Sequence, residues 1–550
     1  MTYDDARADL LAWRDDYPED PFSADRLLGD LLEHYLDGPR LEALRTRASS
    51  FARAVTGVVA PAAARYEQRL HLPEFAPYDG LGRRVDRVDF DPAYHAAGVA
   101  VWASGVVSLS GEAGRAFEQA TLLYLLSLEG EAGHACPATC TIGLARALRR
   151  RGDDAVTTRF LPALLDTDYY RAERGAQFLT EVQGGSDVGA NACEATPSGD
   201  GTTYLISGEK WFCSVADADQ FFVTARLPDG AAGTAGLASF VVPREIDGRP
   251  NGFALRRLKD KLGTRGLASG EIDFAGARAW PVGPVTEGFR TAVSVVLNTS
   301  RWMTAVGAAG IMRRAVLEAR AFARHRVAFG QRIEGFASIR RTLADMSVLA
   351  DGALALVMAL TDLEDRIDAQ RASEDDVHYH RLLVNLVKYL TSRQATSVAR
   401  DAIEVLGGNG TIEEFSVLPR LYRDAIVYES WEGTHNVLAA QVLNDLGRLP
   451  LVAVASARLR ASIGADLDAI LVPRLEAATR GLDRCRGDAE FAAWHLRDLL
   501  DELGLIAESA LLGAAGHAAS ARHLAVVSAP GYDACADDDL ATRVTAVLGD

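Results

Sequence analysis

Cysteine is scarce in this 550-residue chain: there are six, at positions 136, 140, 193, 213, 485 and 535, without the paired spacing that staples small secreted domains. Reduced thiols are the expectation. Cys136 and Cys140 with His134 offer three ligands, but a structural zinc site takes four and no second pair stands nearby, so no metal is assigned. Positive charge is also in deficit. Against 75 Asp and Glu stand 58 Lys and Arg, and the formal charge of −17 argues against a general affinity for phosphate backbones or anionic membranes. No uninterrupted apolar stretch reaches the ~18 residues that suggest a membrane span. The alanine-rich segment 507–519, for example, is broken by Glu508, Gly513, Gly516 and His517. The opening decapeptide, Met1 to Leu10, is acidic where a secretory signal needs a basic region followed by an apolar run, so a cytoplasmic location is expected.

What is present is apolar material enough for several cores, at 48% of the residues, and a length that suits two to four domains. Up to about residue 175 the apolar residues recur at helix spacing, as in Leu27, Leu28, Leu31, Leu32 and Tyr35. The turn-rich segment Pro73–Pro92 interrupts them and reads as an inserted loop or hairpin. From 176 to 286 the period changes to two. Short runs rich in β-branched and aromatic residues, at Thr202–Ser207, Phe221–Arg226, Leu237–Pro243, Phe253–Leu258 and Ser269–Phe274, predict a compact β-domain. Long helical periods return over 287–448, in Arg301–Ala328, Ser338–Ala369, Asp376–Leu406 and Val437–Leu446, and predict an antiparallel bundle. A further helical domain follows over 449–550, with nine Lys and Arg against fifteen Asp and Glu after Pro450. The chain is thus read as α+β, mainly α, in four domains: 1–175, 176–286, 287–448 and 449–550.

Five stretches carry candidate chemistry. In Gln177–Asp187, Thr180 and Ser186 offer hydroxyls, and Gly184-Gly185 lets backbone N–H groups approach an anionic or flat ligand; alone, it is also an ordinary glycine turn. In Gly208–Ser214, strand alternation sends Trp211 and Phe212 to opposite faces, so one ring can pack while the other meets a ligand; core packing of both is the simpler account. Arg326 in Arg324–Gln331 can neutralise a diphosphate or satisfy its own helix end. Glu404–Gly410 ends a helix in glycines that either cap it or admit a ligand. Finally, Val427–Asn436 holds Glu432 between Trp431 and Gly433, as a helix cap or as a base whose pKa apolar neighbours would raise.

Together these stretches resemble the acyl-CoA dehydrogenase superfamily, whose Thr-Glu-x-x-x-Gly-Ser-Asp, Arg-x-x-Phe-Gly, Gly-Gly-Asn-Gly and aromatic-Glu-Gly-Thr motifs have counterparts in family order at 180–187, 326–330, 407–410 and 431–434. The likeness runs from about Tyr78 to Leu446. Within the superfamily the AidB-type branch of adaptive-response flavoproteins is the most similar, through Tyr78–Asp86, Cys136–Thr141, Lys210–Val215, Arg257–Gly263, Leu418–Arg423 and the added helical domain.

The resemblance implies N-terminal helices, a middle β-barrel or sandwich, a C-terminal four-helix bundle and the cofactor FAD. It places Phe178, Leu179, Thr180, Gly185 and Ser186 toward the flavin and pyrophosphate, with Phe212 and Ser214 on the other side of the ring. Arg326, Phe329, Glu404, Gly407 and Gly408 would reach the FAD of a neighbouring subunit in a homotetramer, a dimer of dimers, and Thr434 and Asn436 join the cofactor set. Glu404 stands where many relatives carry Gln. Arg301, Trp431 and Gly433 are assigned to substrate, and Glu432 is the base, since Ser300 before Arg301 offers no carboxylate at the alternative position. The implied reaction is α,β-dehydrogenation of an acyl thioester on coenzyme A or a carrier protein. No motif names the electron acceptor. The competing reading is a DNA-associated protective flavoprotein with vestigial catalysis, which the acidic tail disfavours. Oxidation of a nitroalkane or amine by the same scaffold ranks lower, because the flavin oxidases of nitroalkanes that resemble this family carry Asp at the base position.

Overall fold

The computed structural model describes residues 3–549, which fold into two compact units. One comprises the chain up to Thr56, residues 127–130 and everything from Thr304 onward; the other comprises 57–126 and 131–303.

The first unit is helical. Its frame is the pair Ala337–Asp368 and Glu374–Leu406, joined by a five-residue connection and packed along their length. The second of these starts on a reciprocal cap, Ser373 accepting from the Asp376 amide while the Asp376 carboxylate accepts from Ser373, and stops at Gly407, whose φ of +62° no helix continues. Met346, Ala353, Val398, Leu421, Tyr428 and, from the N-terminal segment, Trp13 belong to one buried cluster. Helix Leu418–Ser430, opened by Pro419 in its first turn, sits in that cluster although the periodicity did not single it out.

Five helices after Pro450, Leu451–Ser462, Asp468–Cys485, Ala489–Ala514, Ala518–Val527 and Leu540–Leu548, form the extension. Helix Ala489–Ala514 lies against both frame helices, closely enough that a Cβ on Gly504 would stand 2.5 Å from Leu390. Among the described residues Ala337–Asp368 is long and apolar enough to cross a membrane, but 83% of its apolar window is buried in the bundle.

In the second unit the Pro73–Pro92 segment is an antiparallel hairpin, Glu74–Tyr78 with Arg84–Asp89. Helix Ala132–Arg151 is buried along most of its length. Pro137 removes one of its N–H donors, and the carbonyl this strands, on Gly133, accepts the Tyr94 hydroxyl instead (3.0 Å). The five predicted strands all form. Two run longer than the periodicity showed, Tyr204–Ser214 and Ser269–Pro281, and Gly175–Phe178 and Glu194–Pro197 are added. Ser269–Pro281 pairs with Tyr204–Ser214, bends through two register shifts, and reaches Leu237–Pro243 at Trp280↔Val241. Because Leu237–Pro243 pairs with Gln220–Arg226, which touches Glu194–Pro197 and so returns to Tyr204–Ser214, the sheet closes on itself as a small barrel.

Candidate active site

Strand Gly175–Phe178 delivers the chain into the turn that begins at Leu179, and a buried ion pair fixes this turn from beneath. Lys210 and Glu181 are 1% and 3% exposed, with Nζ 2.7 Å from the carboxylate. Lys210 also donates to the carbonyls of Leu179 (3.3 Å) and Thr224 (2.8 Å), while Glu181 accepts the amides of Ala192 (2.7 Å) and Cys193. The Glu181 and Gly184 backbones bond each other in both directions, and Asn191 donates to the Leu179 carbonyl (2.6 Å). A side chain on Gly184 would put Cβ 2.3 Å from Asn191 Oδ1, so only glycine fits. Neither Lys210 nor Asn191 was assigned from the sequence.

With this support, Phe178 and Leu179 are buried, Thr180 is half-buried, and Gly185 and Ser186 face outward. The Trp211 amide donates to the Thr180 carbonyl (2.9 Å), which brings the Phe212 strand alongside. The expectation that Trp211 and Phe212 point to opposite faces is corrected here. Cys213 faces Gly270 and Lys210 faces Ile272, so Trp211 and Phe212 together oppose the single residue Glu271 in a β-bulge. Neither ring enters the core: Trp211 is half-buried and Phe212 is 53% exposed. Lys259 Nζ lies over both, 3.5 and 4.7 Å from the ring centres. Ser214, half-buried, follows on the same strand, its hydroxyl 3.4 Å from that of Ser269. A half-exposed aromatic ring, the outward Ser186 and the exposed Gly185 backbone are groups that a flavin and its pyrophosphate can use, so the residues present fit FAD. Arg301, 4% exposed, lies in the same unit near the start of helix Asn298–His325.

The other assigned residues lie in the first unit. Trp431 ends helix Leu418–Ser430 and stacks on Tyr428, with ring centres 5.0 Å apart. Glu432 follows, half-buried, at φ +56°, and Gly433 at +108°. A left-handed glutamate is sterically unfavourable and is the kind of local strain that active sites retain. Helix His435–Leu446 takes Thr434 as its N-cap residue, so Glu432 does not occupy the cap position. Thr434 and Asn436 are exposed, and Asn436 accepts from Arg497 of the extension (3.2 Å). Behind the turn, Lys388, wholly buried, donates to the carbonyls of Glu429 (2.9 Å) and Gly433 (2.8 Å). The Glu429 carboxylate accepts the Thr396 hydroxyl and meets His435 Nε2 at 2.9 Å; burial holds the His435 pKa below its usual value.

Gly407 and Gly408 cap the far end of the helix that carries Lys388, 19 residues on, hence ~28 Å away at helical rise. Both are exposed, as is Glu404. Gly410 could bear no side chain, its Cβ falling 2.6 Å from the Ile403 carbonyl oxygen, whereas nothing lies within 4 Å at Gly408. Arg326 is exposed at the foot of a tight hairpin, Val327–Ala328 with Gln331–Arg332, whose two turn residues, Phe329 and Gly330, both have positive φ. Phe329 is 97% exposed. Among the described residues no group of three His, Cys, Asp or Glu is placed to hold a metal. Cys136 and Cys140 are 3.9 Å apart, and the imidazole of His134 is taken by the Tyr94 carbonyl (2.7 Å).

The helical ends, the closed middle sheet and these motifs define a flavoprotein oxidoreductase, and the comparisons name its kind. Residues 286–447 match the acyl-CoA dehydrogenase C-terminal domain, 176–277 its middle domain, and 16–171 the N-terminal domain of the adaptive response protein AidB. The chain belongs to the acyl-CoA dehydrogenase family. It is 35% identical to AidB of Escherichia coli over 68% of its own length and 69% of the relative's, and 33% identical to acyl-CoA dehydrogenase family member 11 of Caenorhabditis elegans over 77% and 70%. The crystal structure of C. elegans ACDH-11 in complex with C11-CoA superposes with a TM-score of 0.83 at 27% identity, covering 96% of this chain and 91% of that one.

Proposed function

We propose that this chain is an FAD-dependent acyl-CoA dehydrogenase in which Glu432 removes the α-proton of an acyl thioester. The observation that carries the reading is Glu432 itself: a half-buried carboxylate held at φ +56° between a stacked indole and a glycine, within the stretch that matches the family's C-terminal domain.

An α-proton beside a thioester is a far weaker acid than a carboxylic acid, so the negative charge that develops on the thioester oxygen needs a donor in place. The backbone N–H of Glu432 is that donor. Trp431, stacked on Tyr428, gives the base an apolar neighbour on the preceding residue. Thr180, Phe212 and Ser214 are the residues that would hold the isoalloxazine, Ser186 would hold the pyrophosphate, and Arg301 would serve the thioester. FAD, when bound, supplies the acceptor for the hydrogen and electron pair that leave the β-carbon. The product is a trans-2-enoyl thioester, with the α-proton on Glu432.

Phe329 and the Gly407–Gly408 cap fit a second role. A fully exposed phenylalanine at positive φ suits a ring covered by another molecule, and the ~28 Å between Gly407 and the Lys388 level of the base turn suits contact with a different FAD. Together they support a homotetramer in which each copy reaches the cofactor of a neighbour. ACDH-11 binds C11-CoA, and a long straight acyl chain on coenzyme A is accordingly the first substrate to offer. The test is an anaerobic series of acyl-CoA chain lengths followed by bleaching of the bound flavin. Bleaching that peaks at one chain length is expected; no bleaching with any thioester, together with salt-sensitive retention of duplex DNA, would replace this reading with the protective one.

A further inference from the structure

Lys388 is a charged side chain with no exposed surface in the middle of helix Glu374–Leu406, flanked by Val387 and Tyr389. Such a residue is retained against the cost of burying its ammonium only where the bonds it makes matter. Two of those bonds go to backbone carbonyls on either side of the base: Glu429, 2.9 Å away and next to last in helix Leu418–Ser430, and Gly433, 2.8 Å away and just before the Thr434 cap of the next helix. The Glu429 carbonyl is among the last four of its helix, which have no partner within the helix. One ammonium therefore spans the gap between two helices and fixes the ends of the three residues between them, Ser430, Trp431 and Glu432.

The side chain of Glu429 is held from the same helix. Thr396, two turns beyond Lys388, donates to one oxygen, and His435 meets the other at 2.9 Å. Tyr389 sets its ring edge-on to His435, with centres 5.3 Å apart. The left-handed backbone at Glu432 is thus enclosed by anchors on both sides. Without them, a turn containing an unfavourable φ relaxes toward an ordinary one and the carboxylate swings away from its station.

We infer that Lys388 is a positioning residue for the base: acting through the Glu429 and Gly433 carbonyls, it sets where the Glu432 carboxylate stands. The inference rests on the reading of Glu432 as the base. Misplacing a general base by about an ångström costs on the order of 100-fold in rate while leaving substrate contacts elsewhere intact.

The test uses FAD-loaded wild type, Lys388→Met, Lys388→Arg and Glu432→Gln, mixed anaerobically with C11-CoA or with the chain length that wild type reduces fastest. For Lys388→Met the flavin spectrum and the thioester Kd should stay within about twofold of wild type, while bleaching at saturation falls at least ~50-fold and amide hydrogen exchange over residues 429–434 quickens at least ~10-fold. Lys388→Arg, which keeps charge and donors, should recover part of both. Bleaching within about threefold of wild type, or a parallel loss of FAD, thioester binding and rate, overturns the inference. Should Lys388→Met not fold, Thr396→Val loosens the same turn from the Glu429 side, and unchanged exchange and bleaching in it count against the tether. Glu432→Gln separates the two claims: if it bleaches like wild type, the base assignment fails whatever Lys388 does, and the exchange measurement alone decides whether the lysine holds the turn.

Discussion

In the turn after Phe178 the motif glutamate, Glu181, points inward and its carboxylate is taken by Lys210, the Gln183 side chain and two backbone amides. In the turn after Ser430 the motif glutamate, Glu432, stands half-buried at positive φ while a second buried lysine bonds the carbonyls around it. As sequence the two look alike: a carboxylate within three residues of a glycine in a short motif. As structure, one carboxylate is part of the foundation that shapes a cofactor turn, and the other is what a comparable foundation supports. The difference lies in where the buried cation directs its hydrogen bonds: Lys210 takes the Glu181 carboxylate itself, whereas Lys388 takes the backbone carbonyls of Glu429 and Gly433.

Breaking the first foundation should have the largest effect on the fold. Lys210→Met leaves Glu181 buried without its cation, which costs ~3–5 kcal/mol. The melting temperature should fall and FAD retention with it, and Glu181→Gln in the same chain should restore part of the loss. A double-mutant cycle read by thermal unfolding checks this; additive losses would mean the two residues act separately.

Another buried carboxyl sharpens the comparison because its partner is an uncharged amide rather than a cation. Glu508 of the extension, 0% exposed, accepts from Gln394 at 3.0 Å, and burial pushes its pKa up to about 8. Its folded pKa lies above the ordinary carboxyl value of 4.5, so the folded state binds the extra proton. The stability this provides is complete below about pH 4.5 and is lost as the pH rises toward 8. Glu508→Gln should flatten that decline and raise stability near neutrality by on the order of 3 kcal/mol, since each tenfold change in proton affinity is worth ~1.4 kcal/mol. Melting curves of both proteins between pH 5 and 8.5 provide the check.

The smallest effect is expected where the extension meets the base turn. Arg497 donates to Asn436 and lies 5.9 Å from the Tyr389 ring, at an exposed position. Arg497→Ala should slow flavin bleaching only about twofold and cost under ~1 kcal/mol in stability. A drop of the size expected for Lys388→Met would make the extension a main support of the turn.

Much of this was legible in the sequence, for physical reasons that also mark where legibility ended. Helix and strand patterns placed Glu374–Leu406 and Leu237–Pro243 within a few residues, because apolar residues recur along the helix at its own period and the strand is a short apolar run buried at every residue. The motifs placed Thr180 and Glu432 in turns because glycine follows them closely. The bulge at Trp211-Phe212 escaped notice, since an extra residue in one strand depends on the register of its partner, Ser269–Pro281, more than fifty positions later. Helix Leu418–Ser430 was passed over although Pro419 marked its start. Lys210 and Lys388 went unassigned for a different reason: their partners are mostly backbone carbonyls, which carry no residue identity. For Lys388 the trace was a lone lysine within an apolar run, Leu386-Val387-Lys388-Tyr389-Leu390.

The most direct test of the central claim compares wild type with Glu432→Gln, both carrying FAD, mixed anaerobically with C11-CoA. Wild type should bleach fully. The variant should hold its yellow FAD and bind the thioester, yet bleach at least ~1,000-fold more slowly, within the range by which a lost general base slows a reaction. Bleaching at the wild-type rate would contradict the account and remove Glu432 from the chemistry.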